Sequence, residues 1–135
     1  MRPYQHKVQY YETDKMGITH HSNYIRWMEE AKMDFLEQIG WSYEKMEEEK
    51  MISPVSSVSC KYKRSTKFPQ VITIQVFVEE FKGVRLKLSY EMKNDEGQVV
   101  CVGTSENCFV DEAGKIIRME KEYPEFFEAV HRQIG

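Results

Sequence analysis

Two hydrophobic periods organise this chain. Tyr24, Met28, Ala31, Phe35 and Ile39 recur at steps of four, three, four and four, which lines them along one face of a helix. Trp27 and Leu36 widen that stripe, while Arg26, Glu29, Glu30, Asp34 and Glu37 fall mostly elsewhere. Ser22 or Asn23 suits the N-cap, and Gly40 suits the stop. A shorter helix is expected from Ser42 to Glu49. Upstream, His6 to Tyr11 reads as a strand, followed by an irregular loop through Gly17.

Beyond Ser57 the period falls to two. Val58, Cys60 and Tyr62 alternate with polar neighbours, then Ile72, Ile74, Val76 and Val78, then Val84, Leu86, Leu88, Tyr90 and Met92. Val99 to Val110 makes a further strand. Gly83, Gly97 and Gly114 mark turns between runs, and short connections imply antiparallel neighbours. A last helix is expected from Pro124 towards Gln133, with Phe126, Phe127 and Val130 as its contacts. The pattern predicts an α+β fold: one strand, one long helix, then at least four strands in a meander, with the helix across one face. The open face and sheet edge predict dimerisation.

Composition narrows the partners. With 135 residues and 41% hydrophobic content, residues 1–135 are expected to form a single domain. A net charge of -3 supplies no field for a polyanion, so no nucleic acid is expected. The N-terminus MRPYQHKVQYYETD lacks a signal-peptide core, and VITIQVFV falls short of the roughly 20 residues that span a membrane. A cytoplasmic protein with no membrane partner is expected. Cys60, Cys101 and Cys108 read as reduced, mostly buried thiols.

The chain has no G-x-S-x-G elbow, phosphate loop, H-E-x-x-H or C-x-x-C, so any catalysis uses fewer parts. Its densest chemistry is YYETDKMGITHHSNY, residues 10–24. Asp14 follows the first strand, Gly17 lets the loop turn, and His21 arrives just before the long helix. Unpaired amides and the positive end of the dipole at a helix start can polarise a carbonyl. A thioester suits this arrangement, since its carbonyl is electrophilic and its thiolate leaves readily. Asp14 either attacks that carbonyl or activates water, and His21 orients a group or assists proton transfer. By itself an aspartate in a Thr-Asp turn reads as a backbone cap; the surrounding segment is what favours catalysis. Lys61, Lys63, Arg64 and Lys67 form a basic cluster fit for phosphates, with Lys61 and Lys63 expected on one face.

YYETDKMGITHHSNY and EEAKMDFLEQIG, then CKYKRSTKFP and GTSENCFVDEAGK, resemble the signature of the 4-hydroxybenzoyl-CoA and related acyl-CoA thioesterases over nearly the whole chain. That resemblance implies a hotdog fold, with the sheet wrapped around the long central helix, and homodimers or homotetramers with active sites between subunits. It implies Asp14 as catalytic carboxylate, His21 at the helix entrance and Tyr10 as a further contributor. Asn23, Tyr24, Lys61, Lys63 and Arg64 are the expected substrate contacts. The substrate is then an acyl-CoA, with neither a metal nor a cofactor beyond the CoA of the substrate. Two positions depart from many relatives: His20 stands for a tyrosine, and Gln70 for a carboxylate. The alternatives are a hotdog hydratase or dehydratase and a non-catalytic acyl-CoA binding module.

Overall fold

The computed structural model describes residues 1–134. Strand β1 (Tyr4–Lys7) precedes helix α1 (Ser22–Gln38) and helix α2 (Tyr43–Glu48). Strands β2 (Val55–Tyr62), β3 (Val71–Lys82), β4 (Arg85–Lys93) and β5 (Val99–Cys108) follow, then helices α3 (Met119–Glu122) and α4 (Pro124–His131).

The helical spacing holds. Tyr24, Met28, Ala31 and Phe35 are all buried, together with Trp27 and Leu36. The helix ends in a paired cap: Gly40, at φ +93°, donates its N–H to Glu37 O and Trp41 donates to Leu36 O. That turn delivers Trp41 edge-on to Phe126 at 5.2 Å. The start differs from expectation. Neither Ser22 nor Asn23 is the N-cap; that position is His21, without a side-chain cap. Pro124 occupies the first turn of α4 as expected, although a separate turn, α3, precedes it and the helix stops at His131.

The five strands form one antiparallel sheet in the order β1-β3-β4-β5-β2. A simple meander is therefore incorrect: β2 pairs with β5 at the far edge instead of with β3. Residues 63–70 carry the chain across the sheet end, tied at three points. Lys63 and Arg64 donate to Val100 O, Thr66 O accepts from Thr19, and Gln70 O accepts from Val8. The crossover therefore lies against the loop that precedes α1.

The inward faces of β3 and β4 bury the expected apolar residues, including Ile72, Ile74, Leu88 and Met92. That of β5 is different: Cys101, Gly103, Ser105 and Asn107 are small or polar. Gly103 explains why. A Cβ there would stand 2.8 Å from Ser59 O and 2.9 Å from Met28 Sδ, so α1 approaches the sheet to backbone distance. Among the described residues, no helix is long and apolar enough to cross a membrane.

Gly103→Ala should therefore lower stability by about 1–3 kcal/mol, the usual cost of overpacking. Urea denaturation would read this as a lower midpoint; an unchanged midpoint would mean that α1 has room to withdraw.

Candidate active site

The segment before α1 is organised by a carboxylate that the sequence pattern did not single out. Glu12 is 6% exposed. Its Oε1 accepts from Gln9 N and bonds His6 Nε2, both at 2.8 Å, and its Oε2 accepts from Trp27 Nε1 at 2.8 Å. These bonds fold residues 10–12 into a single 3-10 turn, so the first strand ends at Lys7 and not at Tyr11. The Gln9-x-x-Glu12 spacing was the available signal, a reciprocal capping pair outside the usual serine or threonine form. Burial works to raise the Glu12 pKa, but the bonds from His6, Gln9 and Trp27 outweigh it and hold the carboxyl below its ordinary value.

Two residues on, Asp14 enters a tight loop. Thr13 bridges Thr19, Asp14 N–H donates to Ile18 O, and Gly17 at φ +82° donates back to Asp14 O. The carboxylate divides its work: Oδ1 accepts from Met16 N–H at 2.8 Å, and Oδ2 takes no hydrogen bond among the described residues. A cleft of about 310 Å³ opens beside it, with His21, Tyr24, Tyr62, Lys63 and Arg64 among its walls. The turn thus pins one oxygen without closing the site.

At the approach to α1 most amides are already used. Ser22 N–H donates to His20 Nδ1, Asn23 N–H to His20 O and Tyr24 N–H to His21 O. The His21 N–H makes no hydrogen bond among the described residues. The helix approach thus leaves His21 N–H free and not a fan of amides, which narrows the expected oxyanion site. The His21 ring stacks on His20 at 4.4 Å and meets the edge of Tyr62 at 6.3 Å.

Tyr24 forms the back wall. It is buried, its hydroxyl bonds Thr66 Oγ1 at 2.9 Å, and burial raises its pKa. Asn23 is also buried, but its Nδ2 donates to Glu12 O and His20 O, tying the loop to the helix; it belongs to an adjoining groove. Tyr10 lies on the 3-10 turn, 77% exposed against Phe68, outside the cleft lining. The basic residues also separate. Lys63 and Arg64 flank the cleft, whereas Lys61 lines a groove with Phe77 and Ser89. Because β2 ends at Tyr62, its alternation does not extend to Lys63. Tyr62, read from the sequence only as part of a strand's apolar face, is a cleft wall 48% exposed. Gln70 acts within its own turn, where its Oε1 accepts from Lys67 N–H and closes the crossover.

Residues 8–133 match the family model described as the thioesterase-like superfamily. A Bacillus subtilis protein named "Putative acyl-CoA thioesterase YneP" is 30% identical over 127 residues, which is 93% of this chain and 92% of that protein. A structure of a DHNA-CoA thioesterase from Staphylococcus aureus superimposes with TM-score 0.92 at 32% identity, covering 97% of this chain and 89% of that one. A structure from Aquifex aeolicus gives 0.86 at 33% identity, covering 93% and 98%.

Glu12→Gln keeps the shape but removes the charge, and should cost about 1–3 kcal/mol at neutral pH. A carboxyl whose folded pKa is depressed lends stability above its unfolded value of about 4.3, lost as pH falls through the folded value. Wild-type stability should therefore drop on acidification below that point, and the variant should show a flatter acid limb. Parallel acid limbs would mean that Glu12 does not carry this dependence.

Proposed function

The chain is a thioesterase belonging to the thioesterase-like superfamily, and from that membership we propose that it hydrolyses an acyl-CoA to the free acid and CoA. The observation that carries the reading is Asp14, with one carboxylate oxygen fixed by Met16 N–H and the other without a partner beside an open cleft. The thioester carbonyl carbon faces Oδ2, and its oxygen accepts from His21 N–H. By one route Oδ2 adds to the carbon, the C–S bond breaks, CoA leaves as thiolate and water cleaves the resulting anhydride. By the other, Oδ2 takes a proton from water as its oxygen adds to the same carbon, and collapse of the tetrahedral intermediate then breaks the C–S bond and releases CoA as thiolate. Single turnover in heavy-oxygen water identifies the anhydride route when water attacks the Asp14 carboxyl carbon, since only that path passes an Asp14 oxygen into the product acid and leaves the label on Asp14.

Lys63 and Arg64 at the cleft meet the CoA phosphates. His21 and Tyr24 border the acyl carbonyl, while Tyr10, Asn23 and Lys61 act at most from outside this cleft in one copy. The active unit is a homodimer of hotdog protomers, each sheet wrapped around α1. Supporting the dimer, β2 is an edge strand whose Val55, Val58 and Tyr62 are 52%, 40% and 48% exposed.

Asp14→Asn should reduce turnover by about 100-fold or more, read as thiol release, with the melting temperature retained. Undiminished release would reject Asp14. Val58→Lys should shift sedimentation towards the monomer and reduce turnover with it; a fully active monomer would reject the dimer.

A further inference from the structure

Both nitrogens of the His6 ring face carboxylate oxygens. Nε2 stands 2.8 Å from Glu12 Oε1, and Nδ1 stands 3.3 Å from Glu30 Oε1. The His6 side chain is 12% exposed, and its ring lies 4.6 Å from that of Trp27, whose Nε1 donates to the other Glu12 oxygen. Tyr4 fixes the second carboxylate by donating its hydroxyl to Glu30 Oε1 at 2.6 Å. An ionised carboxylate only accepts, and a neutral imidazole has a single N–H to give. The two contacts are therefore both hydrogen bonds only when each ring nitrogen carries a proton.

The other groups around the ring are apolar, exposed or engaged elsewhere. Ile72 is opposite His6 on β3. Tyr11, His20 and Arg26 share its groove, but Tyr11 is exposed, His20 Nδ1 bonds Ser22 Oγ at 2.8 Å, and Arg26 donates to Asn23 Oδ1 at 3.2 Å. Glu12 and Glu30 are thus the charges in direct contact with the ring.

From His6 the contacts run to Asp14. Glu12 O accepts from His20 N–H at 2.8 Å and from the Asn23 side chain, and Thr13, the next residue, bridges Thr19. The loop between these ties carries Asp14, with Oδ1 held by Met16 N–H. Removing the second proton from His6 has two effects. Buried Glu12 loses its counter-charge, which is costly for a carboxylate out of water, and Nδ1 turns a lone pair towards Glu30, which loosens β1 from α1.

We infer that His6 is a positioning residue for the hydrolytic step: as an imidazolium clamped between Glu12 and Glu30 it holds the Asp14 loop against α1, and turnover falls when the ring gives up its second proton. The inference rests on the thioesterase reading. His6 touches neither the cleft nor the substrate; it acts through Glu12.

The test follows kcat and the His6 ring nitrogens over one rising pH series, the ring by heteronuclear NMR with its signals assigned from His6→Gln. In wild type, kcat should fall about 10-fold as the ring deprotonates while KM changes little, because a displaced carboxylate slows the step and not the binding. Glu30→Gln removes one carboxylate and no cleft residue, and should move the ring titration and the kcat limb together towards acid by about half a pH unit or more. A kcat indifferent to the His6 titration, a ring titration that Glu30→Gln leaves in place, or a kcat limb that stays while the ring titration moves would each overturn the assignment. If no acyl-CoA ester is hydrolysed, the thioesterase reading fails by itself, and the clamp is judged by the Met16 amide. Its resonance should shift in step with the ring in wild type; an amide that stays put overturns the clamp. That readout also decides the matter if Glu30→Gln does not fold.

Discussion

A buried carboxylate, Glu12, ties the loop that carries Asp14 to the sheet and to the long helix. Its two oxygens reach β1 through His6, the turn through Gln9 N–H, and the interior of α1 through Trp27. Its backbone oxygen accepts from His20 N–H and from the Asn23 side chain. The residues on both sides of Asp14 are therefore fixed to the helix start before any substrate arrives. A positioned carboxylate is effective only when its supports are rigid, and here the supports are charge-assisted hydrogen bonds out of water.

The opposite requirement operates on β5. For α1 to approach the sheet, the inward face of that strand has to be small, and Gly103 against Met28 marks the limit. Small residues leave space where the helix moves away, and towards Asn107 that space becomes the cavity under Met33 and Leu36. Close helix packing and a pocket at its margin are thus two consequences of the same run of side chains.

The readable parts of the fold were those where one physical demand dominates. Helix α1 buries a stripe, and β3 and β4 bury aliphatic residues, so their periods appear directly in the sequence. Strand pairing was not readable this way, because alternation reports which face a residue occupies and not which strand lies beside it; β2 thus reached the far edge unannounced. Asp14, His21, Tyr24, Lys63 and Arg64 were identifiable as candidates and meet at one cleft. Glu12 was hidden inside YYETD, where aromatic and β-branched neighbours imitate a strand.

The proposed mechanism turns on a thioester carbonyl meeting the unpartnered oxygen of Asp14. The most direct measurement is a crystal structure with an acyl-CoA analogue in which a methylene group replaces the thioester sulfur. The carbonyl carbon should lie about 3–3.5 Å from Asp14 Oδ2, with its oxygen accepting from His21 N–H. A carbonyl bound away from this loop, with Asp14 still engaged only by its own turn, would contradict that mechanism.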